Sequence, residues 1–186
     1  MTKSDPVAES ERAKYQKMWA LPSYRETSPG LNIASLALEK LGCQPGDDIL
    51  DFGCGEGKVV DWFHSREINA LGIDIVALRP DIIEGCLWDL PKDIVPAAFV
   101  FCASVLEPLQ PEKIDAVLET IKEHADVAAF LTIATIGCIQ GERHGETLHL
   151  TVKPIQWWED KLKFLWPHVT IGQGDRKWRY WALVRQ

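Results

Sequence analysis

The chain has 186 residues, 46% hydrophobic and 25% charged, with a formal net charge of −7. These values predict one globular domain with a substantial core, and they argue against a sequence-independent grip on nucleic acid, which needs Lys and Arg to neutralise phosphates. The five cysteines form no CxxC pair, as is typical of a reducing compartment without a metal site. Signal-peptide and membrane-spanning runs are absent from the sequence, so we expect a cytoplasmic protein without a membrane partner.

Helices are predicted first, and strands then alternate with helices. A short helix is predicted over residues 10–20. Pro29 can begin a second helix, over 31–41, which Gly42 closes. The chain that follows predicts strands at 48–52, 69–75, 81–87, 97–103 and 127–136, and helices at 58–65, 111–125 and 155–166.

The C-terminal stretch predicts a hairpin, because two apolar runs flank Gly172-Gln173-Gly174-Asp175. A tight hairpin forces an antiparallel pair. Together with the alternating strands and helices, it predicts an α/β fold: a Rossmann-like three-layer sandwich. Its seven-stranded sheet is expected to be mostly parallel, with a C-terminal antiparallel hairpin in which one strand runs against the rest.

The stretch 49–59, ILDFGCGEGKV, follows the first predicted strand and opens a helix. Its DFG lacks the upstream catalytic loop of protein kinases. The Walker pattern fails because Phe52 stands where the first glycine is needed and Val59 cannot ligate magnesium. The dinucleotide fingerprint fails in both registers, because Lys58 or Val60 stands where its third glycine is needed.

The remaining pattern is an acidic residue followed by alternate glycines: Asp51, Gly53, Gly55 and Gly57. It resembles motif I of the class I S-adenosylmethionine-dependent methyltransferases, and the tract after the fourth predicted strand, described below, resembles that of the small-molecule and sugar enzymes among them. Asp74 falls where that family has its second-strand acid. The resemblance covers roughly residues 29–186 and implies S-adenosylmethionine as the cofactor, with glycines that let the backbone approach it closely.

The resemblance also implies the cofactor-binding residues. Asp51 would face the cationic end of the cofactor, and the helix after the glycines would present N–H groups to its carboxylate. Asp74 would accept the ribose hydroxyls, and Asp89 would cap the adenine amine with Trp88 near the ring. A turn role for Asp89 and a core role for Trp88 are the alternatives. The full predicted set is Asp51, Gly53, Cys54, Gly55, Asp74, Ile75, Trp88, Asp89 and Ser104.

The predicted catalytic residues are His149 and His144, after the fifth strand. Ligands bind at the carboxyl edge of such sheets, and an unperturbed histidine pKa of about 6.5 suits a general base. A hydrogen-bonding role in the loop is the alternative. The segment Val105-Leu-Glu-Pro108 resembles the Val-Leu-Glu-His tract of small-molecule methyltransferases, with Pro108 where a histidine is usual.

Residues 1–28 are predicted to form a helical lid segment over the cofactor, ahead of a methyltransferase domain at 29–186. A helix packed on the sheet edge is the alternative to a lid. The predicted function is in-line transfer of a methyl group from S-adenosylmethionine to the hydroxyl or amine of a small-molecule acceptor, such as a sugar or metabolite. Two alternatives are an NAD-dependent oxidoreductase and a catalytically silent S-adenosylmethionine-binding partner protein.

Overall fold

The computed structural model of the protein describes residues 5–26 and 29–186, so residues 1–4 and 27–28 of the predicted lid segment lie outside the described residues. The first described elements are three helices, α1 (Pro6–Trp19), α2 (Pro22–Arg25) and α3 (Pro29–Leu41). The first helix begins four residues earlier than predicted, because Asp5 caps it and accepts a hydrogen bond from the Val7 N–H at 2.9 Å. The third ends at Gly42, as predicted, with a φ of 74°.

One sheet contains seven strands within the described residues: β1 (Asp48–Phe52), β2 (Asn69–Asp74), β3 (Ile82–Glu84), β4 (Ala97–Cys102), β5 (Ala125–Ala134), β6 (His168–Gln173) and β7 (Arg179–Arg185). Their order is β3-β2-β1-β4-β5-β7-β6. β7 pairs antiparallel with both β5 and β6, and the other pairs are parallel. One strand therefore runs against the rest, which confirms the predicted fold.

Helices cover both faces of this sheet. The remaining ones are α4 (Lys58–His64), α5 (Ile114–His124), α6 (Ile139–Arg143) and α7 (Ile155–Leu165). On one face α5 and α7 pack a core that includes Leu118 and Trp158, and on the other α3 and α4 pack a second core that includes Ala37 and Phe63. Among the described residues no helix has the length and apolar content needed to cross a membrane.

The structure corrects the predicted elements in two places. The third strand is only three residues long, because the Gly85 N–H donates to the Asp74 carbonyl oxygen at 2.9 Å and the chain then turns, with Cys86 bridging to Asp89. The short helices α2 and α6 were not predicted. Four or five residues are too few to show an apolar periodicity.

The register of the strands brings their carboxyl ends to one edge of the sheet. Asp51 near the end of β1 lies beside Gly72 of β2 and Phe101 of β4. Because β7 is antiparallel, its first residue, Arg179, lies opposite Ala134 at the end of β5. Residues from both ends of the sequence therefore meet at this edge.

Candidate active site

A cavity of about 750 Å³ lies at the carboxyl edge of the sheet, between the strand ends, α1 and α2. This volume is in the range of small-molecule sites. The structure brings most of the predicted site residues into its wall, namely Asp51, Gly53, Cys54, Gly55, Asp74, Ile75, Trp88, Ser104 and His149. Residues far apart in the chain therefore form one site.

Two predicted residues lie outside this cavity. Asp89 is exposed in a tight turn, where its N–H donates to the Cys86 carbonyl oxygen at 2.9 Å, and it lines a separate, smaller cavity. His144 is exposed, with Nε2 3.3 Å from the Ser23 hydroxyl of α2. Asp89 thus lies in a turn, which is the alternative to a contact with adenine. His144 links the loop after α6 to α2 at the surface.

The glycine turn between β1 and α4 has a backbone that only glycine adopts easily. Gly53, Gly55 and Gly57 have φ values of 75°, 57° and 75°. A Cβ on Gly53 would lie 2.2 Å from Val105, and one on Gly55 would lie 2.7 Å from the Trp19 ring. Both glycines are therefore required by conformation and by close packing at the cavity.

Two buried carboxyl groups, Asp51 and Asp74, lie beside this turn. Asp74 Oδ2 accepts a hydrogen bond from the Gly55 N–H at 2.8 Å, and its Oδ1 accepts one from Val76 at 3.0 Å. Within the described residues Asp51 Oδ2 is buried and has no partner. Burial, and then the charge of Asp74, raises the pKa of Asp51 to about 8. The cavity thus holds an uncompensated carboxyl group that a cation would neutralise.

Glu107, which the sequence analysis did not single out, lies at the opposite end of the cavity and is only 1% exposed. Its carboxylate accepts a hydrogen bond from the Ala134 N–H, while the other oxygen, Oε2, is buried without a partner in the described structure. Burial raises its pKa, although the charge of His149 acts in the opposite direction. A sequence signal existed, because Glu107 directly follows a buried strand end in the segment that resembles Val-Leu-Glu-His.

Ser104 joins β4 to this end of the cavity in a strained conformation. Its φ is 60°, which is unusual for a residue with a side chain. Its N–H donates to the Thr132 hydroxyl of β5 at 2.8 Å, which fixes the turn. Strain of this kind is often found at functional sites.

The predicted base His149 contacts a cysteine that the sequence analysis did not single out. Its Nδ1 lies 2.8 Å from the Ile136 carbonyl oxygen, and its ring also hydrogen-bonds the Cys138 thiol. The hydrogen bond from His149 lowers the pKa of Cys138. Burial acts to lower the pKa of His149, but its two hydrogen bonds raise it overall. No group of three or more metal-ligating side chains occurs among the described residues.

Aromatic side chains of α1 and α2 cover the cavity. Tyr15, Trp19 and Tyr24 all line it, and the rings of Trp19 and Tyr24 meet edge to face with centroids 4.9 Å apart. Tyr15 Oη and Trp19 Nε1 are buried and lack partners within the described part of the chain. These polar atoms are therefore close enough to the cavity to serve a ligand.

The N-terminal helix is held to the sheet edge by polar contacts at its N-cap and near its middle. Asp5 accepts hydrogen bonds from Trp88 Nε1 at 2.8 Å and Lys113 Nζ at 3.1 Å, and these hold its pKa at about 2. Arg12 Nε lies 3.0 Å from Glu84 and donates to the Ile75 carbonyl oxygen at 3.2 Å. Trp88 thus anchors α1 in addition to lining the cavity.

No protein-family model and no curated protein sequence matches the chain, but solved structures do. The Burkholderia thailandensis 1,6-didemethyltoxoflavin-N1-methyltransferase, solved with 1,6-didemethyltoxoflavin and S-adenosylhomocysteine, matches with a TM-score of 0.73 at 13% identity, over 100% of this chain and 92% of its own. DhpI with S-adenosylhomocysteine matches with a TM-score of 0.67 at 17% identity, over 98% of each chain. The small RNA methyltransferase HEN1 matches with a TM-score of 0.62 at 12% identity, over 84% of this chain and 25% of its own.

These likenesses define the fold of the chain as that of the class I methyltransferases, as the glycine turn and the strand order predicted. Two of the three matches span nearly the whole of both chains, including the reversed last strand. At these identities the likeness establishes the fold, and the chemistry follows from the site itself.

Proposed function

We propose that the protein is an S-adenosylmethionine-dependent methyltransferase that acts on a hydroxyl or amine of a small molecule. The observation that carries the proposal is the buried, unpartnered Oδ2 of Asp51 in the cavity wall beside the glycine turn. A buried carboxyl group of this kind calls for a cationic partner. The ammonium group of a bound S-adenosylmethionine supplies that partner.

The neighbouring residues support the same ligand. Both Asp74 oxygens accept backbone hydrogen bonds, and a carboxylate has further lone pairs that can accept a ribose hydroxyl. Gly53 and Gly55 line the cavity without a side chain, so a ligand can approach their backbone closely. When bound, S-adenosylmethionine supplies an already activated methyl group, so these residues need only bind and orient it.

The acceptor is assigned to the end of the cavity lined by Glu107 and His149, while Ser104, which follows the central strand β4, lies between this end and the glycine turn. The first of the matched enzymes is a 1,6-didemethyltoxoflavin-N1-methyltransferase, and its structure matches this whole chain. The net charge of −7 favours a small molecule over a polyanion, although one matched structure belongs to an RNA methyltransferase.

The N-terminal segment is assigned the role of a lid over the bound ligands. Trp19 lies on the glycine turn, and Tyr15 and Tyr24 line the same cavity. The polar contacts of Asp5 and Arg12 hold the segment over the cavity. A closed lid would exclude water from the reacting groups.

Ligand binding tests the proposal directly. In a thermal-shift experiment S-adenosylhomocysteine should raise the melting temperature and NAD should not, since ligand at about 100 times its Kd stabilises by about 2.7 kcal/mol. A shift with NAD alone would establish the oxidoreductase alternative. Labelled S-adenosylmethionine incubated with a small-molecule extract should then yield labelled products, and binding without any transfer would establish the silent partner.

A further inference from the structure

The charged side chains in the wall of the large cavity are mostly acidic. Among the described residues, the acidic members of the wall are Glu11, Glu26, Asp51, Glu56, Asp74 and Glu107. The Lys and Arg side chains in the same wall are those of Lys58 and Arg179. A concave wall with an excess of negative charge attracts cations and repels anions. The cavity is therefore better suited to a cationic acceptor than to an anionic one.

Both of these basic side chains already contact carboxylates. Lys58 Nζ lies 2.9 Å from the Glu56 carboxylate and donates a hydrogen bond to the Arg25 carbonyl oxygen at 2.5 Å. Arg179 Nη1 lies 3.1 Å from the Asp175 carboxylate in the last hairpin. An anionic acceptor would have to compete with these carboxylates for the positive charges.

Glu107 is the buried acidic residue at the acceptor end, and it is only 1% exposed. One carboxylate oxygen accepts a hydrogen bond from the Ala134 N–H, and the other, Oε2, is buried without a partner within the described residues. The Glu107 carbonyl oxygen accepts hydrogen bonds from the N–H groups of Leu150 and Thr151 at 2.8 and 2.9 Å. Three N–H groups from two other segments thus hold this residue in place before a ligand binds.

We propose that the methyl acceptor is an amine that is protonated in neutral solution, and that Glu107 Oε2 accepts a hydrogen bond from its nitrogen. This statement rests on the proposed function, because it concerns the molecule that receives the methyl group. An N–H group satisfies the unpartnered oxygen, and the positive charge of the amine offsets the buried carboxylate. A hydroxyl supplies only the hydrogen bond, and a phosphate or carboxylate adds a second negative charge.

The charges near Glu107 allow its carboxylate to form when an amine binds. Burial raises the pKa of Glu107, and the positive charges of His149 and then Arg179 act against this effect. A bound ammonium group adds a further positive charge, which favours the ionised carboxylate. The amine and the carboxylate therefore stabilise each other's charge.

Aromatic residues in the same wall also suit a cationic acceptor. Tyr15, Tyr24 and Trp178 line the cavity. Trp178 lies at the acceptor end, since its carbonyl oxygen accepts a hydrogen bond at 2.9 Å from the N–H of Thr135, the residue after β5. The faces of aromatic rings attract ammonium groups. This attraction adds to that of the Glu107 carboxylate.

The methyl transfer to an amine balances in charge and in electrons. The bound amine first loses one proton to water, and its nitrogen lone pair then forms the bond to the methyl carbon. The electron pair of the broken methyl–sulfur bond stays on the sulfonium sulfur, which becomes a neutral thioether. The positive charge thereby passes to the nitrogen, which leaves as a methylated ammonium group. A carboxylate beside this nitrogen stabilises the charge as it develops.

Fractionation of a small-molecule extract tests the charge of the acceptor. The extract is passed at about pH 7 through a cation exchanger, through an anion exchanger or through neither. Each sample is incubated with wild type and methyl-labelled S-adenosylmethionine, and labelled products are measured by mass spectrometry. Alkylamines are almost fully protonated at this pH, so the cation exchanger should lower the labelled product by at least about tenfold. The anion exchanger should leave the product unchanged.

The outcomes separate this proposal from the proposed function. Transfer that the anion exchanger removes, or that survives both exchangers, would show a methyltransferase with an anionic or neutral acceptor and would overturn the amine alone. If wild type transfers no methyl group to the untreated extract, the proposed function fails and the amine fails with it.

The role of Glu107 is tested with Glu107→Gln, which keeps a carbonyl oxygen for the Ala134 N–H but removes the charge. The acceptor eluted from the cation exchanger should be needed at a concentration at least about tenfold higher for half-maximal transfer. S-adenosylhomocysteine affinity, measured by calorimetry, should stay as in wild type. The matched control is Glu119→Gln, exposed on α5 outside the cavity wall, and it should behave as wild type in both measurements.

An unchanged half-maximal concentration in Glu107→Gln would overturn the contact between Glu107 and the acceptor. Circular dichroism and S-adenosylhomocysteine binding separate a lost contact from a lost fold. The exchanger experiment uses wild type alone, so it decides the charge of the acceptor even if Glu107→Gln does not fold.

Discussion

The two ends of the cavity place a cysteine in opposite electrostatic surroundings. At the glycine turn, burial and then the charges of Asp51 and Asp74 raise the pKa of Cys54. At the other end, the hydrogen bond from His149 lowers the pKa of Cys138. The first end therefore disfavours a further negative charge, whereas the second favours the negative charge of a thiolate more than water does.

The two ends also differ in how the chain builds them. Asp51, the glycines and Asp74 lie within two neighbouring strands and one turn. Glu107, Cys138 and Arg179 come from three distant segments, which the pairing of β4 with β5 and of β5 with β7 brings to the same end of the cavity. A short motif therefore defines the cofactor end, whereas the tertiary fold defines the acceptor end.

The largest effect on stability and on ligand binding is expected for a substitution in the glycine turn. Gly53→Ala places a Cβ 2.2 Å from Val105 at a φ of 75°. The left-handed conformation and the overlap together should destabilise the protein by about 2–4 kcal/mol, measured by urea unfolding. Because the turn lies in the cavity wall, S-adenosylhomocysteine binding should also be lost in calorimetry.

Gly42→Ala is the matched control for this substitution. Gly42 has nearly the same φ, 74°, but nothing lies within 4 Å of the position of its Cβ. It should lose only the conformational part, about 1–2 kcal/mol, and should bind ligand as wild type does. Equal losses in the two variants would show that the packing at Gly53 carries no special role.

A second large effect is expected for Asp51→Asn. Removing a carboxylate from a charge-assisted contact should weaken S-adenosylhomocysteine binding by about 10- to 100-fold. Asp51 has a pKa of about 8 in the free protein, so it must lose a proton when it meets an ammonium group near neutral pH. Calorimetry in buffers of different ionisation enthalpy should detect this proton release in wild type and not in Asp51→Asn. Proton release that persists in the variant would contradict the assignment.

The same carboxyl group should make folding stability depend on pH. Its pKa in the folded protein, about 8, exceeds the ordinary value of 3.8 for an aspartate, so the folded state binds the extra proton between these values. Its contribution is complete below about pH 4 and is lost as the pH rises through 8, with a slope of at most about 1.4 kcal/mol per pH unit. Urea unfolding should show a smaller loss over this window in Asp51→Asn, and identical curves would contradict the raised pKa.

The sequence predicted the sheet well because its signals are local. The apolar runs of β1 and β5 mark buried strands, and the glycines between the last two strands mark a hairpin. The same holds for Asp51 and Gly53, whose roles depend on residues next to them in the chain. Asp89 has a similar local pattern, yet it lies exposed in a turn, where it bridges to Cys86, and it is not part of the cavity wall.

The acceptor end could not be predicted in the same way. The buried Glu107 carboxylate accepts a hydrogen bond from the Ala134 N–H, which lies on another strand. The pKa of Cys138 depends on His149, which lies in a later loop. Neither partner is visible in a local pattern. Cys138 also lies in an apolar and glycine-containing stretch that is typical of an inert thiol.

A smaller loss of ligand affinity is expected for a substitution in the N-terminal lid. Trp19→Ala removes the ring that lies on Gly55, and should weaken S-adenosylhomocysteine binding by about fivefold to tenfold through loss of buried apolar area. Trp62→Ala, which removes a tryptophan that stacks on Arg66 outside the cavity lining, is the aromatic control and should bind normally. Normal binding by Trp19→Ala would instead favour a helix that merely packs on the sheet edge.

The smallest effect is expected at Ser104, which shares a φ of 60° with Glu67 on the exposed surface. Replacing either residue by glycine relieves left-handed strain but adds entropy to the unfolded chain, so each change should raise the free energy of unfolding by at most about 1 kcal/mol. Only Ser104→Gly removes a hydroxyl from the cavity wall, and the Ser104 N–H that donates to Thr132 remains in place. Calorimetry should therefore show about a twofold to fivefold loss of S-adenosylhomocysteine affinity for Ser104→Gly and none for Glu67→Gly. Equal affinities would mean that Ser104 shapes the turn between the two ends without contacting the ligand.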